Sequence, residues 1–280
     1  MTYQHTLRET LAFEGVGLHT GAAVRARLVP QEANHGIRFS LDGAESFPAT
    51  SDYVVETRRA TVLGHGSRTV STVEHVLSAL FALGIDNALV EVTGPEMPVL
   101  DGSAGVYADA IAACGLVEQP ALRPRFTVAA PAVFADGDAI VVVTPADDFR
   151  VRYAVDFAPP VGAQFFDAAI DAETFRNEIA QARTFGYLHE VEALLAAGLA
   201  RGGSLDNALV FAPDGPLTPL RWPNEVVRHK TLDLIGDFAL LGAWPQFEVI
   251  AIKSGHRLHA KAVAGLRAAT AERTRAGVVG

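Results

Sequence analysis

Residues 224–242, NEVVRHKTLDLIGDFALLG, carry the longest helical pattern in the chain, and their reading decides the fold. Val226, Val227, Leu234, Ile235, Phe238 and Leu241 recur on apolar helix faces, and Gly242 supplies a stop. An apolar run at 247–252 (FEVIAI) then reads as a buried strand, followed by the loop Lys253-Ser254-Gly255-His256 and a last helix from about His259. The same order occurs upstream. In residues 71–83 (STVEHVLSALFAL), Val73, Val76, Leu77, Leu80 and Phe81 have helical spacing, and Gly84 follows as a stop. Residues 88–92 (ALVEV) read as a strand, 94–102 as a Pro-containing loop and 106–113 as a second helix.

Strands are expected ahead of each long helix, at 6–13, 24–29 and 37–41 in the first part and at 126–133, 139–144 and 150–157 in the second. Helices are expected at 172–180 and at 187–197, the latter ending at Gly198. Pro120 and Pro124 bracket a boundary, which divides the chain into α+β domains at 1–122 and 123–280. Each is predicted to be a sheet with helices on one face, and the cleft between them is where a site is expected.

A net charge of −9 argues against a nucleic-acid or anionic-membrane partner, since both call for a basic face. One cysteine, Cys114, excludes an intramolecular disulfide and fits a reducing compartment. The first fifteen residues lack a signal-like apolar run, and no segment reaches the roughly 18 apolar residues of a membrane span. The expectation is a cytoplasmic monomer, with disorder only in the Ala/Arg-rich end after about Ala264.

Chemistry concentrates in the long helix. His229 and Asp233 stand at i and i+4, so they point the same way, and Asp237 lies one turn further on. An imidazole and a carboxylate so placed suit zinc; a solvated row of side chains fits the spacing equally well. Glu74-His75 would add a ligand and a base, yet Ser71-x-x-Glu74 also matches a capping box, with Glu74 bonded back to the helix start. His256, beyond a buried strand, suits acid–base work or an exposed turn. The stretches 183–186 and 202–207 read as substrate-lining loops or as plain turns.

Seven blocks join these signals: GVGLHTG (15–21), STVEHVLSALFALGIDNALVEV (71–92), PVLDGSA (98–104), ARTFGYL (182–188), GLARGGSLDNALV (198–210), VRHKTLDLIGDFALLG (227–242) and KSGH (253–256). In order and spacing, from about residue 4 to 266, they resemble the UDP-3-O-acyl-N-acetylglucosamine deacetylases, zinc enzymes of the committed step in bacterial lipid A synthesis. The resemblance implies two α+β halves packed face to face with the site between them. Each half would carry a small insertion, at about 36–65 and, as a βαβ-type unit lining an acyl-chain passage, at about 184–210. Leu188, Val191, Leu194 and Leu195 would line that passage.

The resemblance further implies that His75, His229 and Asp233 hold one Zn²⁺ per chain, a donor set that also suits Fe²⁺. Glu74 would be the general base, and Thr184 would help stabilise the oxyanion. His256, oriented by Asp237, would act as a cation and protonate the leaving amine, while Lys230 adds positive potential. Asp156 and Phe157 would read uracil, with Phe185 and Tyr187 near the substrate and Lys253 at the diphosphate. Ala139 departs from relatives that carry a phosphate-contacting lysine there, and Tyr187 stands where Phe is frequent. His19 is assigned no role beyond a turn beside the site.

Overall fold

The computed structural model describes residues 2–275. The first part runs Tyr3–Leu7 (β1), Leu11–Val16 (β2), Ala23–Pro30 (β3), Ile37–Leu41 (β4), Phe47–Pro48 (β5), Val54–Glu56 (β6), Val62–His65 (β7) and Arg68–Val70 (β8). Glu74–Ala82 (α1), Ala88–Thr93 (β9), Gly105–Cys114 (α2) and Leu116–Leu122 (β10) follow. Next come Arg125–Thr127 (β11), Ala132–Asp136 (β12), Ala139–Pro145 (β13), Arg150–Asp156 (β14) and Ala163–Ala169 (β15). Ala172–Thr174 (α3) continues into a widened helical turn at Phe175–Ile179. The chain closes with Phe185–Tyr187 (β16), Leu188–Ala196 (α4), Leu209–Ala212 (β17), Gly215–Pro216 (β18), Glu225–Ala239 (α5), Trp244–Ile252 (β19) and His256–Arg275 (α6). The class is mixed α+β, as expected.

Two larger sheets dominate, ordered β2-β3-β9-β4-β5 and β12-β13-β19-β14-β15, with β11 added beside β19. Their neighbouring pairs run antiparallel, antiparallel, parallel and antiparallel in the same sequence. Period-two patterning explains which face of each is buried. On β3, Val24, Ala26 and Leu28 point inward, while Arg25 and Arg27 pair with Glu14 and Glu91 outside. On β19, Phe247, Val249 and Ala251 are fully buried, and Glu248 pairs with Arg152.

Helix α1 is buried along its whole length and packs against α5. One apolar cluster contains residues of both sheets and both helices, with Phe81 of α1 against Phe149 and Trp244. Truncating such a buried Leu or Phe to Ala costs about 2–5 kcal/mol. Among the described residues, no helix is long and apolar enough to cross a membrane.

Several expectations need correction. Pro120, read as one edge of the boundary, lies inside β10, which pairs with β1 with a register shift between Tyr3 and Gln4. The single strand expected at 126–133 is two, β11 and β12, and β15 was not anticipated because its Phe165 faces out and its Phe166 faces in. Helix α1 starts at Glu74, three residues late: Thr72 takes φ +59°, and Ser71 bridges to Glu96. At the other end, α6 begins at His256 and reaches Arg275, against the disorder expected after Ala264; residues 276–280 lie outside the described residues.

Smaller units flank the larger sheets. Strands β6, β7 and β8 form one three-stranded sheet, while β4 belongs to the first large sheet. Strands β16 and β17 run parallel with α4 between them, and β18 completes that unit. Its feet are fastened by backbone contacts: Thr184 N–H donates to Gly102 O, and Gly202 N–H to Leu18 O. A Cβ at Gly102 would stand 1.9 Å from Asn207 O, and one at Gly202 2.2 Å from Gly17 O. Glycine is required there because backbone meets backbone, which ties three of the quoted sequence blocks to one another.

Candidate active site

Helix α5 presents His229 and Asp233 on one buried face, and α1 brings His75 to them from a separate part of the chain. His229 Nε2 lies 3.4 Å from Asp233 Oδ1, and His75 Nε2 lies 3.8 Å from the same oxygen. The two rings are perpendicular, with centroids 5.2 Å apart. Tetrahedral donors at ~2.0–2.1 Å from an ion stand about 3.4 Å from one another, so the three side chains fit a metal. The donors are prepared for it: His229 Nδ1 faces Ala182 O at 3.0 Å, which places its proton there and leaves Nε2 free toward the other two. Burial and the neighbouring His229 push His75 down to about 3, and burial lowers His229, so both rings are neutral. Burial opposes ionisation of Asp233, but His229 and Lys230 outweigh it and hold the carboxylate far below its usual range. Lys230 Nζ donates to Asp233 Oδ2 at 2.7 Å.

Glu74 and His256 flank this trio. Glu74 Oε1 lies 3.8 Å from His256 Nε2, and its other oxygen accepts from Thr61 N–H at 3.0 Å. The expected capping box is therefore not made; the carboxylate turns toward the site instead of back to Ser71, and no side chain caps the helix. Burial pushes Glu74 up to about 8, against the pull of His256. Burial also opposes charge on His256, but Asp237 and Glu74 prevail and raise it to about 9. Asp237, almost wholly buried behind His256, accepts from its Nδ1 at 2.9 Å. Thr61 Oγ1 donates to Asp237 Oδ1, so one residue of the β6–β7 connection touches both Glu74 and Asp237.

A cavity of about 950 Å³ opens over these groups. Its lining includes Glu74, His75, Thr184, His229, Lys230, Asp233 and His256, together with Asp156, Phe157, Phe185 and Lys253. Leu188, Val191, Leu194 and Leu195 of α4 add apolar side chains to the same lining. Phe157 and Phe185 meet edge to face at 5.3 Å. Lys253 is held by Asp156 at 3.0 Å and Asp138 at 3.4 Å. Tyr187 is not brought to the cavity wall: it is buried against Val161, Leu209, Phe211 and Val226, and its hydroxyl donates to Ala158 O.

Sequence reading missed Thr61, His259 and Glu96. Glu96, fully buried, accepts from the N–H groups of His19 and Thr20 and from the hydroxyls of Thr20 and Thr72. It thereby shapes the turn that puts His19 on the cavity wall. A glutamate inside GPEMP carries no local signal for that role.

Residues 4–268 match the family described as UDP-3-O-acyl N-acetylglycosamine deacetylase (LpxC). Curated relatives named UDP-3-O-acyl-N-acetylglucosamine deacetylase include proteins of Nostoc sp. and Phenylobacterium zucineum, each 44% identical to this chain. The first alignment covers 91% of this chain and 95% of the relative, the second 95% and 94%. A third, from Syntrophotalea carbinolica, is also 44% identical, over 92% of this chain and 86% of the relative.

Proposed function

Because the chain belongs to the UDP-3-O-acyl N-acetylglycosamine deacetylase family, we propose that it hydrolyses the N-acetyl group of UDP-3-O-acyl-N-acetylglucosamine. The products are acetate and UDP-3-O-acyl-glucosamine, the committed step toward lipid A. The observation that carries this reading is the convergence of two neutral histidines and a carboxylate with Glu74 and His256 in the lining of one cavity.

His75, His229 and Asp233 would hold the ion, taken here as zinc, with Fe²⁺ suited to the same donors. The chemistry such an ion supplies is polarisation of the acetamide carbonyl and a lowered pKa for water. Glu74 takes a proton from the attacking water, and the Thr184 hydroxyl donates to the carbonyl oxygen as charge develops there. His256, held at Nδ1 by Asp237, delivers a proton from Nε2 to the leaving amine, and Lys230 keeps the local potential positive. Asp156 and Phe157 take the uracil, Phe185 packs beside the substrate and Lys253 reaches the diphosphate. The α4 leucines and Val191 take the acyl chain. Tyr187 acts only indirectly, by packing under this region.

We read the chain as two α+β domains, 1–122 and 123–280, facing each other across the site. The repeated strand order and the α1–α5 contact support that reading. We read the chain as a monomer, and a reducing cytoplasmic setting agrees with the single cysteine.

The test is to incubate zinc-loaded protein with UDP-3-O-acyl-N-acetylglucosamine and measure acetate. Turnover no faster than that of His229→Ala overturns the proposal. Elemental analysis of gently purified protein identifies the ion, and the His229→Ala variant is expected to lose it.

A further inference from the structure

Asp237 is held by more than the mechanism uses. Its Oδ2 faces two imidazoles, His256 Nδ1 at 2.9 Å and His259 Nδ1 at 2.8 Å. His259 is fully buried and lies outside the cavity wall, with Ser254 Oγ 2.8 Å from its Nε2. Tyr153 completes the group, donating from its hydroxyl to Ser254 O at 2.7 Å. The ring of Phe238 covers the imidazole, with centroids 6.4 Å apart.

Hydrogen positions follow from counting donors. The single Tyr153 proton is committed to Ser254 O. A bare nitrogen lone pair on His259 Nδ1 cannot face a carboxylate oxygen at 2.8 Å, so that nitrogen carries a proton. A second proton, on Nε2, would make His259 a cation beside Lys230 and a charged His256, with one carboxylate to share and no solvent. His256 is better placed for the charge, since its Nε2 also faces Glu74 at 3.8 Å and Asp233 at 3.9 Å. His259 Nε2 is therefore bare, and the single Ser254 proton has two acceptors, His259 Nε2 at 2.8 Å and the Tyr153 hydroxyl oxygen at 2.9 Å.

We propose that His259 is a positioning residue for the deacetylation. As a neutral imidazole protonated at Nδ1, it locks the Asp237 carboxylate in the orientation that aims His256 into the cavity. The inference rests on the function proposed above for its catalytic consequence, though not for its geometry. Asp237 would take N–H donors from two rings on Oδ2 and the Thr61 hydroxyl on Oδ1, and so could neither rotate nor tilt. Loss of one anchor leaves His256 charged but less well aimed, an effect on kcat and not on substrate binding.

Two measurements test this on zinc-loaded enzyme. Long-range ¹H–¹⁵N correlation of the imidazoles is expected to show His259 protonated at Nδ1 and bare at Nε2. His259→Leu is expected to lower kcat about 10- to 100-fold, the usual cost of losing an outer partner, with KM within about twofold. His259→Asn, whose amide can still donate to Asp237, is expected to recover kcat to within about threefold of the parent. An Nε2-protonated ring, or Leu and Asn variants equally impaired, overturns the proposal. Should His259→Leu fail to fold, His259→Phe, which keeps a ring of similar shape but has no donor for Asp237, serves instead: a several-fold fall in kcat with KM kept supports the proposal, and a parental kcat overturns it. Absence of acetate release by the parent enzyme would count against the proposed function alone, because the spectrum still reports the position of His259.

Discussion

Gly236 of α5 lies directly against the backbone of Glu74 in α1: a Cβ built at Gly236 would stand 2.1 Å from the Glu74 carbonyl oxygen. This contact sets how closely the two helices approach, and with it the distance between Glu74 and the α5 ligands. Gly236→Ala is expected to force the helices apart, lowering stability by about 1–3 kcal/mol as overpacking does. Turnover should fall by more than the loss of folded protein explains, since a shift of about 1 Å in a reacting group costs about 100-fold. Thermal melts combined with acetate release check both; a variant with parental activity and stability would show that the helices can give way at this point.

Glu74 should make metal-free protein less stable as pH rises. Its ordinary value of 4.5 moves to about 8 on folding, chiefly through burial. The folded state therefore holds the proton more tightly, so the stability from this group is complete below pH 4.5 and is lost as pH climbs through about 8. Glu74→Gln removes that titration. In chelator-treated samples its Tm relative to the parent is expected to be higher on the alkaline side of this window than on the acid side. Zinc-loaded Glu74→Gln should lose about 10²- to 10⁴-fold in turnover. Intact turnover with a lowered Tm would instead give Glu74 a structural role at Thr61.

The alkaline limb of the pH–rate profile should belong to His256. Burial works against its charge, but Asp237 and Glu74 raise it to about 9, so activity that needs the cation fades as pH rises through that region. Asp237→Asn removes the larger of the two raising charges and is expected to move the limb to lower pH, besides lowering kcat. A limb that stays in place in Asp237→Asn, measured on kcat/KM, would assign it to another group.

Phe157 should act on binding. Loss of a stacking surface for a base costs about 1–3 kcal/mol, so Phe157→Ala is expected to raise KM about 5- to 100-fold with kcat nearly unchanged. Lys253→Ala is expected to raise KM less, because Asp156 and Asp138 already engage the ammonium and a diphosphate must compete with them. A fall in kcat alone for either variant would place these residues at the chemical step.

Much of this molecule is legible locally. Apolar periodicity located α1, α2, α4, α5, β3, β4, β9, β13 and β14, and i,i+4 spacing put His229 and Asp233 on one face before any tertiary structure was needed. The Ser71-x-x-Glu74 pattern misled for a physical reason. Thr72 adopts φ +59° and donates to buried Glu96, so the helix cannot start where the pattern places it. Strand β15 escaped notice because its outward Phe165, next to inward Phe166, breaks the apolar–polar alternation in sequence although burial alternates along the strand.

What the amino-acid sequence determined by itself was therefore the α+β class, the main helices and one ligand pair, all consequences of regular backbone geometry over a few turns. The meeting of His75 with that pair was carried by resemblance, not by spacing. Only the tertiary structure decided that Thr61 contacts both Glu74 and Asp237, with Asp237 176 residues away in sequence, and that His259 stands behind Asp237. It also buried Tyr187 with Leu209 and Phe211, beneath Phe157 and Phe185. Such contacts depend on how distant elements pack and on where each side chain then points. Backbone periodicity encodes neither, and burial makes each of these polar groups find its partner across the fold.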